Sequence, residues 1–410
     1  MTVQKRWWVL LGLVGVYATT NGIVVHTLPL IYPLLGDEFG WTTAQLTLPA
    51  TVFFVFGAVT SPPAGVALDR FSPHRILTLG LVGLFASLLT FSVAQTLWQV
   101  VTVYLMFGLF LSLCGLTASM VVLTRWFDDQ RGRATGLLLM ASSLGGALFP
   151  QILSRGIEAG GWRQALLWVA VAGTAFCMPA VGWLIRDKTS GAGKLPIIDD
   201  PQSAQSGPGV TLSNALRSPM FYLIVIATAA LWFSIVALLQ HQALYLGRDL
   251  GVERSRLPDM FSVFFLCSIV GKLGFGGLSD YLNKSIVMLL SIATLLAGLL
   301  VLRFIQADDV SLLYIYAAIT GIGFSGAFTM VQLLVAEHFA GPSYGKILAI
   351  VVMLDSLAGG AGTRIVALLR DQSGNYQSAF NLMTAVVMVA VICIAAMMLA
   401  NPSKSRMNTP

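Results

Sequence analysis

The stretch Phe261–Lys284, FSVFFLCSIVGKLGFGGLSDYLNK, decides how the rest of the chain is read. Its apolar run is long enough to cross a bilayer, which takes about 20 residues of helix. Lys272 nevertheless sits near its middle. A fixed cation at membrane depth costs about 2.5–3.5 kcal/mol on insertion scales, so such a residue faces a partner, a cavity or a substrate. Asp355 interrupts a second apolar run, IVVMLDSLAGGAG, in the same way. Two opposite charges, each central to a different span, are the strongest functional signal in the chain.

Composition agrees with a membrane setting. Of 410 residues 56% are apolar and only 10% charged, against about 25% charged in a soluble chain. The net charge of +6 does not mark a nucleic-acid face, because the basic residues lie between spans rather than in a stripe. No nucleic-acid partner is expected. There is no metal-ligand cluster, phosphate-binding loop or convergent catalytic set, so no metal, cofactor or enzymatic activity is expected. The four cysteines, Cys114, Cys177, Cys267 and Cys393, all fall inside apolar spans, where a free thiol behaves as a small hydrophobe. Disulfides are not expected.

Lys5 and Arg6 precede an apolar run from Trp7 to about Leu35. It is too long for a signal-peptide core and has no small-residue cleavage site, so it reads as a first membrane helix. Further spans lie near 43–67, 74–94, 98–124, 133–157 and 162–185, and then near 219–246, 258–280, 284–304, 310–336, 344–369 and 377–400. Between the two sets, Arg186 to Ser218 is rich in Gly, Ser, Pro and charge and reads as a flexible linker. The expected organisation is an all-α integral membrane protein with twelve transmembrane helices: a six-helix half (1–186), a cytoplasmic linker (187–218) and a second six-helix half (219–410).

The larger share of Lys and Arg, including Lys5, Arg6, Arg70, Arg75, Arg125, Arg131, Arg133 and Arg186, falls on one side if the spans alternate. The positive-inside rule then puts both termini in the cytoplasm. An internal repeat supports the split. GVALDRF at 65–71 recurs as GGLSDYL at 276–282, and GLLLMASSLGGA at 136–147 as AIVVMLDSLAGG at 349–360. Such repeats are common in transporters, whose substrate sites lie where the halves meet. At these offsets Lys272 corresponds to Ser61 and Asp355 to Ser142. The second half carries charge where the first keeps hydroxyls.

On these residues the chain resembles the major facilitator superfamily. Gly65-x-x-x-Asp69-Arg70 … Arg75 is similar to the family signature between the second and third helices, with Ser72-Pro73-His74 departing from it, and Gly276 to Asp280 with Lys284 is a looser second copy. DEFGW at 37–41, RWFDDQRGRATG at 125–136 and HQALYL at 241–246 resemble bacterial members of the monocarboxylate and oxalate–formate branch. In that branch an arginine on the eighth helix, within G-R-x-x-x-G, holds the substrate carboxylate. Here Gly271-Lys272-Leu273-Gly274-Phe275-Gly276 puts lysine in its place, exchanging a bidentate fork for a compact point charge. The tyrosine that members often carry on the fourth helix has no counterpart in SLCGLTASM at 112–120.

The resemblance and the charges together give the expected site. Lys272 binds the anion and Asp355 exchanges protons, since burial and a nearby ammonium act in opposite senses on a carboxyl group. The alternative is a structural ion pair between helices eight and eleven. HQALYL places His241 in the cavity wall, as a substrate contact or second proton carrier; otherwise it is an interfacial histidine. Tyr17 and Asn21, four apart, share a face of the first helix as further substrate contacts, with His26 as a proton carrier. Asn21 and His26, five apart, lie about 140° from each other on a regular helix and are not expected to meet one point. Arg364 is expected near the rim, its stem in the membrane. The resemblance implies a salt-bridged cytoplasmic gate of Asp69, Arg70, Arg75, Arg125, Arg131 and Asp280, foremost Asp69; the plainer reading is a topological anchor. Gly136, Gly145, Gly146 and Pro150 partly match an antiporter pattern, and close helix packing explains them equally well.

The expected function is secondary active transport of a small organic anion, a monocarboxylate, by proton-coupled alternating access across the bacterial cytoplasmic (inner) membrane, as a monomer in the lipid bilayer. The alternative is proton-coupled export of hydrophobic or cationic compounds. A membrane-embedded sensor fits less well, because it would need an appended soluble domain and the linker and tails are short.

Overall fold

A computed structural model describes residues 3–127, 130–185, 210–341 and 343–400. Among these residues there is helix but no strand. In lipid the backbone groups of a spanning segment must bond within the segment, which leaves the helix as the form these apolar runs can take. Eleven stretches are long and apolar enough to cross a membrane, and one of them is double. They are α1 (Lys5–Phe39), α2 (Thr43–Arg70), α3 (Pro73–Ser92), α4 (Leu97–Trp126), α5 (131–159), α6 (162–184), α7 (Pro219–Leu244), α8 (Arg256–Tyr281), α9 (Lys284–Leu302), α10 (Val310–Phe339), α11 (Tyr344–Ser373) and α12 (Gln377–Ala400). The expected spans agree with these bounds to within a few residues. α5 and α6 part at Gly160–Gly161, where Gly161 takes φ 80, a backbone conformation that only glycine adopts without cost. Of the expected linker, 186–209 lies outside the described residues, and Leu212–Arg217 is a short helix capped by Thr211.

Local sequence sets the ends. Thr42 and Gln45 form a reciprocal capping box at the start of α2, and Thr96 and Gln99 do the same for α4, each satisfying two backbone donors that would otherwise lack partners. α1 is not uniformly wound. Gly22–Thr27 is π-helical and Leu28–Ile31 is 3-10. Pro29 lies within the 3-10 turn and Pro33 just beyond it, and each removes a donor and crowds the carbonyl four residues back, so the winding loosens and then tightens to pass them. The Thr27 hydroxyl donates to Gly22 O, 2.7 Å away, across the widened turn.

Contacts divide the described residues into two compact units. The first contains α1–α6 together with Leu239–Leu266, that is, the end of α7, the following loop and the start of α8. The second contains Pro219–Leu238 of α7 and everything from Cys267 onward. In the first unit, polar bonds hold Leu239–Leu266 in place. Tyr32 donates to Gln240 Oε1 at 2.8 Å, and Gln151 Nε2 donates to Asp259 at 2.7 Å and to Ser262 at 3.1 Å. Ser262 donates to Ala147 O at 2.7 Å, and Arg254 pairs with Asp37.

Each unit contains a close helix contact that depends on missing side chains. In the first, α1 meets α5: a Cβ on Gly145 would lie 2.0 Å from Ala18 O, and one on Gly22 would lie 2.6 Å from the Gly145 backbone. In the second, α7 meets α11: a Cβ on Gly362 would lie 2.2 Å from Phe233 O. Contact at this distance is how helices associate where lipid offers no hydrophobic drive. Gly145 is therefore a packing residue, whereas a Cβ on Gly136 would meet nothing within 4 Å.

Candidate functional site

In the first unit, Ser142 on α5 is a hub. Its hydroxyl donates to Asn21 Oδ1 at 2.7 Å and lies 2.9 Å from His26 Nε2. Tyr17 stands beside the same hydroxyl. Tyr17, His26 and Ser142 are buried and Asn21 is half-buried. Asn21 and His26 thus meet one point, contrary to the expectation from a regular helix. The reason is the π-helical segment between them: with i→i+5 winding, residues five apart stack above one another. Phe265, at the start of α8, covers the imidazole with ring centroids 4.2 Å apart. It fits there because Gly146 has no side chain; a Cβ would be 2.5 Å from the Phe265 ring.

In the second unit, Lys272 and Asp355 are both buried, 8% and 3% exposed. Leu266, Val270 and Leu273 are exposed along α8, and the helical period turns Lys272 away from that apolar stripe. Gly271 brings α8 close to α10, since a Cβ there would lie 2.0 Å from Ser325 Oγ. The Lys272 ammonium lies over the Phe328 ring, 5.0 Å from its centroid, an arrangement worth about 0.5–2 kcal/mol depending on desolvation. Phe328 packs edge-on against Trp232 of α7 at 5.9 Å and against Phe324 at 6.3 Å. Asp355 on α11 stands beside Thr228 of α7, whose hydroxyl donates to Val225 O at 3.3 Å. Neither carboxyl oxygen of Asp355 has a hydrogen-bond partner among the described residues, Lys272 included. The structural ion pair weighed from sequence is not formed.

His241 is buried in the first unit, next to Gln240, which holds Tyr32; the Tyr104 hydroxyl approaches Tyr32 at 3.5 Å. Arg364 is half-buried on α11. Of the gate residues, Arg70, Arg75 and Asp280 are exposed, and Arg125 donates to Leu68 O at 3.1 Å. The side chains of Asp69 and Arg131 lie outside the described residues. Lys284, in the looser second copy of the signature, pairs with Glu337 at 3.7 Å. Sequence reasoning missed Phe328, Trp232 and Phe265, which carry no signal within apolar runs. It reached Ser142 only as the repeat partner of Asp355, and that offset was the signal available.

Long apolar helices in this number define a polytopic membrane protein. The chain belongs to the Major Facilitator Superfamily, whose family model matches residues 10–253 and 242–410. It is 29% identical to monocarboxylate transporter 13 of Bos taurus over 327 residues, covering 78% of this chain and 72% of that protein. It is 24% identical to the membrane sensor protein UhpC of Salmonella typhimurium over 253 residues, 59% of this chain and 57% of that one. Among solved structures, a bacterial homolog of the human lysosomal transporter Spinster shares the fold, with a TM-score of 0.73 at 17% identity over 98% of both chains.

Proposed function

We propose that this transporter moves a small organic anion, a monocarboxylate, together with protons, and that Lys272 binds the anion while Asp355 carries the proton. One observation supports the reading most. Two opposite charges are buried in the same unit at mid-span, yet neither carboxyl oxygen of Asp355 is hydrogen-bonded to Lys272, and its polar neighbour is Thr228, whose hydroxyl donates to Val225 O. A buried carboxyl group left without partners costs about 1–3 kcal/mol or more, so a purely structural role gives no reason to keep it. The similarity to monocarboxylate transporter 13 is consistent with a carboxylate substrate. Tyr17, Asn21 and His241 serve as further substrate contacts, with His26 and His241 as auxiliary proton carriers. Arg70, Arg75, Arg125 and Asp280, with Asp69 and Arg131, form the gate at the cytoplasmic face. The protein works as a monomer in the bacterial inner membrane with both termini inside.

The deciding experiment uses purified protein in liposomes with an imposed pH gradient, tested with acetate, lactate, oxalate and benzoate. Uptake of at least one, dependent on the gradient and lost in Lys272→Ala, is the expected result. Retained anion uptake in Lys272→Ala would overturn the assignment. The competing reading, export of hydrophobic or cationic compounds against protons, draws on the aromatic group Trp232, Phe324 and Phe328 in the unit that holds Asp355. It predicts that Lys272→Ala leaves cation export intact while Asp355→Asn abolishes it.

A further inference from the structure

Beyond the charged pair, the first unit holds a polar group whose internal order says something about the solute. A serine hydroxyl has one proton and two acceptor lone pairs. Ser142 directs its proton to Asn21 Oδ1 at 2.7 Å, so its contact with His26 Nε2 at 2.9 Å is made with the proton on the imidazole nitrogen. The Asn21 carbonyl oxygen is thereby engaged. Its amide nitrogen makes no hydrogen bond among the described residues, and Asn21 is only half-buried while Ser142 and His26 are buried. The Ser142 hydroxyl and the Asn21 carbonyl therefore have their hydrogen bonds made, and the NH2 group of half-buried Asn21 is the donor left over.

We infer that Ser142 is a positioning residue that fixes the Asn21 amide with its NH2 group outward, so that this subsite recognises a hydrogen-bond acceptor on the transported solute, a carbonyl, carboxylate or ether oxygen. The inference rests on the reading of the protein as an organic-anion transporter. His26 holds Ser142 from behind, and the π-helical turn at Gly22–Thr27 is what lets Asn21 and His26 reach the same hydroxyl. Asn21 touches the solute; Ser142 acts through it.

The test is a double-mutant cycle in liposomes, using whichever of acetate, lactate, oxalate or benzoate the wild type moves. Ser142→Ala should raise KM about two- to tenfold, the effect of one lost hydrogen bond, with the maximal rate little changed. Ser142→Thr, which keeps the hydroxyl, should restore KM. In an Asn21→Ala background the Ser142→Ala change should have no further effect on KM, because residues acting through one contact are not additive. A merely structural serine would instead lower thermal stability and give additive losses. Equal KM in wild type and Ser142→Ala, or full additivity with Asn21→Ala, would overturn the inference. Should Ser142→Ala not fold, Ser142→Cys, which keeps the size and weakens the donor, is measured in the same cycle. Wild-type protein that moves none of the four anions defeats the transport reading itself, a result distinct from either outcome of the cycle.

Discussion

Tyr17 beside Ser142 in the first unit and Thr228 beside Asp355 in the second occupy matching places in the repeat: a hydroxyl on the first helix of a half against a polar group on its fifth. In both units a glycine lets the two helices touch, Gly145 against Ala18 and Gly362 against Phe233. The scaffolds agree, but the polar groups differ. Ser142 is neutral and has its hydrogen bonds made; Asp355 is ionisable and has none. Burying a satisfied hydroxyl costs little, while burying a carboxyl group without partners is a standing cost. The same contrast holds between Ser61, exposed and bonded to its own helix at Gly57 O, and Lys272, buried against an aromatic ring. One unit buries a neutral hydroxyl at this place in the repeat, and the other buries a carboxyl group.

Variants that make the two units alike give the sharpest tests of that contrast. The largest effect is expected from Lys272→Ala, which removes a buried charge; solute affinity should fall by about 10- to 100-fold, the range for a hydrogen bond to a charged group, read as KM or as binding by calorimetry. Lys272→Arg should recover part of it. Asp355→Asn or Asp355→Ser comes next. Either should abolish accumulation driven by a pH gradient while counterflow exchange of labelled solute continues; unchanged uphill uptake would erase the distinction between the units. Adding a methyl group at the matching crossings, Gly145→Ala and Gly362→Ala, should destabilise both by about 1–3 kcal/mol through overpacking, seen as lowered melting temperatures in detergent. A loss in only one of them would show that the two crossings are not equivalent. Gly161→Ala separates strain from crowding: a Cβ there would meet nothing within 4 Å, so the cost is backbone strain alone, about 1–3 kcal/mol at φ 80 and ψ 170.

The sequence carries the helices clearly because each is an apolar run bounded by charge, proline or glycine. The run predicted at 284–304 is Lys284–Leu302, and that at 344–369 is Tyr344–Ser373. Lys272 and Asp355 are legible for the same reason: a charge stands out against lipid-soluble neighbours. What surrounds them is not. Phe328 and Trp232 sit in runs where an aromatic is one apolar residue among many, and nothing in their spacing marks the ammonium that lies over Phe328. The meeting of Asn21 with His26 is hidden for another reason. It depends on a change of winding inside GIVVHT, a segment without the polar periodicity that would reveal its pitch. The assignment of Leu239–Leu266 to the first unit rests on pairs such as Tyr32–Gln240 and Gln151–Asp259, more than a hundred residues apart, which no local pattern encodes.

The widened turn at Gly22–Thr27 also separates the two ends of α1 in phase. A helix of constant pitch couples every side chain to every other, so turning Tyr17 and Asn21 toward α5 would dictate where Tyr32 points. One surplus residue in the winding breaks that coupling. The early part of the rod is free to be set by Ser142 and the later part by Gln240, each without disturbing the other. Deleting a single position between 22 and 27 would restore the coupling and swing Tyr32 about a quarter-turn, roughly 100°, off its glutamine.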